Sequence, residues 1–219
     1  LKQDETAEVS FAYRVTDADG DNDLATATII ISGETDVLAG NAADGYFAAA
    51  TVIGDANNNG VHDGGEAIAM TDGSGDFELV DPAGTLVMTG GIDVATGLAF
   101  EGMLKAPDGS GIITPLTTLV QALADGGMDV TAAHAAVLDG LGLAPAIDLL
   151  SLDAIAATLL EDAEAAAVQA ASTQVLNSVT VIANLLVGAG AASYLAASNS
   201  AFAEVAASLP ADLADETTL

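Results

Sequence analysis

"GDANNNGVHDGGEAI", residues 54–68, sets oxygen-bearing side chains at alternating places: Asp55, Asn57 and Asn59, then Asp63 and Glu66, with Gly60 sixth from Asp55. The spacing is that of a twelve-residue calcium loop. Asp55, Asn57 and Asn59 fill positions 1, 3 and 5, the Val61 carbonyl position 7, Asp63 position 9 and a two-oxygen Glu66 position 12, with glycine where the chain turns sharply. Such a loop ordinarily joins two helices. Here "AAATVI" (48–53) and "EAIAMT" (66–71) flank it, short runs without a 3.6-residue stripe that read as strands. The loop is therefore expected to cross between strands and hold them, since a sensor needs a helix pair to move.

Working outward, residues 46–113 continue the same pattern. Short apolar runs ("DFELV", "TLVMT", "LAFEGML", "SGIIT") alternate with Gly and Asp turns, which predicts a small antiparallel β-sandwich. Towards the N-terminus, Val9, Phe11, Tyr13 and Val15 alternate on a period of two and "DLATATIII" follows, so residues 1–36 are expected to hold a β-hairpin with "TDADGDND" at its tip. A lone hairpin is marginal in water, so it is expected to need a partner. Residues 37–45, rich in Gly, Asn and Asp, read as a linker.

From residue 114 the period changes. Thr114 and Pro115 form a helix start, with Leu116, Leu119, Val120 and Leu123 on one face and Gly126 and Gly127 as the stop. Further helices are expected from about Thr131, from near Ser151 to Val187, and from the Ser193 region to Pro210. Residues 114–219 thus read as a helical subdomain with Ala-rich seams, acting as a rigid spacer. The expected class is α+β and multi-module.

Lys plus Arg number 3 against 32 Asp plus Glu, a formal net charge of −29. Nucleic acid and anionic lipid repel such a chain and multivalent cations are drawn to it. Cysteine is absent, which removes thiol catalysis and disulfide staples and leaves metal ions as the substitute. Residues 165–203 carry no charge, but Gln169, Gln174, Asn177, Asn184 and Asn199 interrupt them, so buried small-residue helices are expected and no membrane span. No targeting segment opens the sequence, and the start reads as the middle of a longer protein.

The metal-ligand set is expected to bind calcium in the range of extracellular modules, about 10⁻⁴ to 10⁻³ M or modestly tighter, because two of its five side-chain ligands are neutral amides. Asp17, Asp19, Asp21 and Asp23 at the hairpin tip form a second candidate site, where a cation would relieve crowded charge. Asp72 and Asp76 in "TDGSGDF" read as turn residues near enough to lend an oxygen. Catalysis finds little footing. There is no Gly-x-Ser-x-Gly elbow, no His-Glu-x-x-His and no phosphate loop, and only His62 and His134 supply imidazoles, His134 as a helix residue. A carbohydrate-active hydrolase working through paired carboxylates is a minor alternative, weakened by 4% aromatics and no Trp for sugar stacking.

"FAYRVTDADGDNDLATATIII" (11–31) resembles the last hairpin of the immunoglobulin-like or cadherin-like repeats of large secreted bacterial adhesins, including those with RTX tails. "ATVIGDANNNGVHDGGEAIAMTDGSGDFEL" (50–79) is similar to the calcium-binding B-type domains of serine-aspartate-repeat surface proteins. The second likeness implies Asp55, Asn57, Asn59, Asp63 and Glu66 as calcium ligands. No Gly-Gly-x-Gly-x-Asp run is present. Together these imply an extracellular or cell-surface structural module of adhesin, stalk, fibre or biofilm-matrix type, with calcium, neighbouring modules or copies of itself, and a host or matrix surface as partners. The alternative is a filament subunit joined by strand addition through the hairpin.

Overall fold

In a computed structural model of the chain, residues 5–209 are described, and they divide at Val37/Leu38 into two units. The first is a hairpin of β1 (Thr6–Thr16) and β2 (Asn22–Ser32), antiparallel from Thr6 opposite Ser32 to Thr16 opposite Asn22. Alternation along paired strands puts Val9, Phe11, Tyr13 and Val15 on one face, opposite Ile29, Ala27, Ala25 and Asp23. Phe11 is 50% and Ile29 52% exposed, and among the described residues no third strand joins this sheet.

The division falls at the start of β3 (Val37–Ala42), which lies inside the segment expected to be a linker and belongs from Leu38 on to the second unit. The glycine that suggested a joint serves close packing instead. A Cβ on Gly40 would lie 2.5 Å from the Phe77 ring. After β3 come β4 (Phe47–Ala48), β5 (Thr51–Asp55), β6 (Ile68–Met70), β7 (Asp76–Val80), β8 (Thr85–Thr89), β9 (Ile92–Asp93), β10 (Met103–Ala106) and β11 (Ile112–Ile113). They form a four-stranded antiparallel sheet in the order β10-β8-β5-β6, a three-stranded sheet β11-β3-β7 and a small β4-β9 pair. One departure from the antiparallel expectation is β11, which runs parallel to β3.

Among the described residues five helices follow: α1 (Pro115–Asp125), α2 (Val130–Gly140), α3 (Ala154–Thr158), α4 (Ala163–Gly188) and α5 (Tyr194–Ser208). The single helix expected from Ser151 to Val187 is two. Glu161 takes a left-handed φ of 64°, and the Asp162 carboxylate accepts from the Glu164 and Ala165 N–H groups, so a new helix starts there.

Strands and helices share one core. Val52, Phe77, Leu79, Leu86, Met88 and Leu104 from the sheets pack in the same cluster as Leu116, Leu119, Val120, Val137, Val175 and Phe202 from the helices. The expected boundary at 113/114 therefore runs through continuous packing. Helix α1 is buried along Pro115–Gln121. Its polar side chains are satisfied by β10 and by its own cap: Thr117 Oγ1 donates to the Lys105 carbonyl (2.8 Å) and accepts from Thr114 N, while Thr118 Oγ1 accepts from Lys105 N (2.9 Å). Tyr46 donates to Asp153 at 3.0 Å and Gln169 to the Asp44 carbonyl at 2.7 Å, two more ties between the strand region and helices. Burial and the Asp153 carboxylate push the Tyr46 phenol up to about 12.

His134 is a partly buried residue of α2. Its Nε2 accepts from Leu149 N at 3.0 Å and fastens the 141–153 segment. Helix α4 buries a stripe of Ala165, Val168, Ser172, Val175, Val179 and Ala183, while Val181 and Leu185 stay exposed. By length and composition alone it is long and apolar enough to cross a membrane, and burial is confined to that stripe where the whole helix was expected inside.

Thr117→Val keeps the shape but leaves Thr114 N without its acceptor and takes from the Lys105 carbonyl the nearer of its two hydroxyl donors, the other being Thr118. An unsatisfied buried group is worth about 1–3 kcal/mol, so denaturant unfolding should show a loss in that range. A neutral result would mean α1 is not pinned to β10 in this way.

Candidate metal centre

Strand β5 ends on Asp55, a residue 1% exposed whose two carboxylate oxygens both accept hydrogen bonds from the loop. Oδ1 accepts from Asn59 N at 3.1 Å and Oδ2 from Gly60 N at 2.6 Å. The chain can curl round this carboxylate because Asn58 (φ 60°) and Gly60 (φ 77°) adopt left-handed backbone, which asparagine and glycine tolerate best. Asn57 Oδ1 accepts from Asn59 N and Asn59 Oδ1 from Val61 N, two successive side-chain turns.

The far half of the loop folds back on this base. Asn57 and Asn59 each donate an amide N–H to Asp63 Oδ2 at 2.7 Å. Glu66 spans the closure, with Oε1 accepting from Ala56 N (3.0 Å) and Oε2 from Asp63 N (2.8 Å). His62 Nε2 lies 3.1 Å from the Glu66 carbonyl, an acceptor, so that nitrogen carries the hydrogen. All five side-chain residues of the predicted ligand set are thus joined in one network. The amides hold Asp63 well below the ordinary aspartate range, Asn57 first and Asn59 second.

The carboxylates themselves do not converge: among the described residues no group of three or more His, Cys, Asp or Glu lies close enough to hold a metal. The reason is visible in the hydrogen bonds. Asp55 points at loop N–H groups, Asp63 at two amides, and Glu66 at the backbone of both loop arms. The donor set is nevertheless all oxygen, as a hard divalent cation requires. Asn57 and Asn59 carry a carbonyl oxygen on the other arm of the amide that now donates to Asp63.

Sequence spacing did not point to what anchors the loop. Asn58 donates to Asp125 Oδ1 at 3.1 Å; Gln121 donates to the same oxygen at 2.7 Å, and Lys105 pairs with Oδ2 at 3.2 Å. The loop is thereby tied to the end of α1. On its other flank Gly84 lies so close that a Cβ would sit 2.3 Å from the Asp55 carbonyl oxygen. These contacts join residues distant in sequence, and only Asn58, inside a run of three asparagines, carried any local signal.

The second candidate behaves differently. At the hairpin tip Asp17 Oδ1 accepts from Asp19 N and Asp21 N, and Asp23 Oδ1 from Leu24 N. Asp17 and Asp23 are engaged as turn residues, and the four carboxylates are not gathered round a common point. Asp72 likewise accepts from Ser74 N and Asp76 N, as a turn does. Compared with known proteins, the chain matches no family model, no curated protein and no solved structure.

The Asp63 hydrogen bonds contribute to stability above the ordinary value of 3.8, and that contribution is lost as pH falls through the lower folded value. Replacing both Asn57→Ala and Asn59→Ala should move the Asp63 carboxyl titration, followed by NMR, up towards 3.8. An unmoved midpoint would remove the amides as its cause.

Proposed function

We propose that this chain is a calcium-stabilised structural module of a secreted or cell-surface bacterial protein, of the adhesin, stalk or extracellular-fibre type, and not an enzyme. The observation that carries the reading is the loop from Asp55 to Glu66: an oxygen-only donor set in calcium-loop order, seated between β5 and β6 with its first ligand buried. Asp55, Asn57, Asn59, the Val61 carbonyl, Asp63 and Glu66 are the residues that would hold the ion. A divalent cation there would neutralise carboxylates in a chain of net charge −29. The EF-hand-like spacing then acts as a rivet across a β-sandwich, in the manner implied by the likeness to B-type domains.

The anchoring supports a static role. The Asn58–Asp125 hydrogen bond on one side and the close packing of Gly84 on the Asp55 backbone on the other confine the loop, where a sensor needs an element free to move. An extracellular setting agrees with the absence of cysteine only if something else braces the fold, and calcium supplies that brace.

Calcium that binds the folded loop and not the unfolded chain stabilises by mass action, about 2.7 kcal/mol at a hundred times the dissociation constant. Adding calcium to metal-stripped protein should raise the melting temperature, and Glu66→Gln should abolish most of the rise. Chelation without effect on melting would defeat the reading.

A second reading is favoured by the exposed apolar side chains of the hairpin. That hairpin donates strands to another copy and so builds a filament. Sedimentation of the chain with and without residues 1–36 tests it, with assembly expected only when they are present.

A further inference from the structure

We propose that the acceptor for the hairpin is a groove on the second unit of another copy of this chain, with β1 laid along the open edge of β7. The inference rests on the reading of the hairpin as a strand donor. The groove has a volume of about 770 Å³ and runs between β6 and the β3–β7 pair, past Gly40, Asn41, Met70, Asp76, Phe77 and Glu78. Both strands at its mouth end their sheets: β6 has β5 as its one strand neighbour and β7 has β3. Their outer side chains include Ile68, Met70 and Val80, exposed by 52%, 65% and 56%. An open edge flanked by exposed apolar side chains is a template for another strand.

The two strands have matching alternation. On β7, Phe77 and Leu79 are buried while Asp76, Glu78 and Val80 face outward. On β1, Val9, Phe11, Tyr13 and Val15 form the apolar face and Ser10, Ala12 and Arg14 the other. Added to β7 in the register that keeps apolar residues on the Phe77 side, β1 brings Arg14 to the face of Asp76 and Glu78.

Charge makes that register selective. Among the described residues the Lys and Arg side chains are Arg14 and Lys105, and Lys105 is paired with Asp125. Arg14 is exposed on the hairpin, and the groove is lined by Asp72, Asp76 and Glu78 without a cation. Copies carrying −29 repel one another over most of their surface, so the complementary contact decides the orientation. One donor and one acceptor on each copy give a heterologous contact, which propagates as an open chain unless it closes into a ring.

The chain has no cysteine, so introduced ones report a single contact. Full-length Arg14→Cys and Glu78→Cys proteins, mixed and mildly oxidised, should form the mixed disulfide in preference to either same-variant dimer. It should exceed the Arg14→Cys with Asp139→Cys control about tenfold, the ratio corresponding to 1.4 kcal/mol. Separately, Arg14→Glu should weaken association roughly fivefold, the upper range for an exposed ion pair, and mixing with Glu78→Arg should restore it. Disulfides between two Arg14→Cys chains, with assembly untouched by Glu78→Arg, would mean that hairpins pack on each other; the acceptor assignment then falls while the donor reading stands. A full chain that stays monomeric at every concentration overturns both.

Discussion

Burial of α1 is the constraint on which the second unit depends. A helix whose first two turns lie wholly inside protein can exist only if each polar group on them finds a partner away from water. Thr114, Thr117 and Thr118 meet that demand by bonding to one another and to the backbone of Lys105 on β10. Gln121, next along, reaches Asp125. The helix is thus fastened to the sheet through polar contacts in the middle of an apolar core, and α2, α4 and α5 pack against it.

Asp125 carries the same constraint outward to the loop of residues 55–66. It receives Gln121 from within the helix, Lys105 from the sheet and Asn58 from the loop. A carboxylate shared by three elements makes the loop part of the scaffold. Buried Asp55 does the corresponding work at the strand end, where loop N–H groups converge on it. The loop is therefore ordered from both ends by the fold before any ion is considered, which suits bracing and ill suits signalling.

The two units meet opposite physical situations. In the second, apolar faces of sheets and helices cover one another. In the first, two strands offer a ribbon whose apolar side chains Val9, Phe11, Tyr13 and Val15 are exposed. An apolar face left to water contributes nothing to stability, so the hairpin is the part of the chain whose energetics point beyond a single copy.

Period, caps and turn residues determined much of this by themselves. The alternation of Val9 to Val15 located β1, Thr114 with Pro115 located α1, and "DFELV" and "TLVMT" located β7 and β8, because each signal is local backbone chemistry. The ligand spacing also located the loop whose side chains form one hydrogen-bonded network. Tertiary structure alone decided the rest. Gly40 belongs to a strand because the Phe77 ring needs its space, although glycine reads as a joint. β11 runs parallel to β3, and strands and helices merge into one core, since neither chain direction nor the partner of an apolar face is written in local sequence. The carboxylates of the loop stay apart for the same reason: spacing sets which residues can meet, but backbone N–H groups and amide hydrogens settle where each oxygen points.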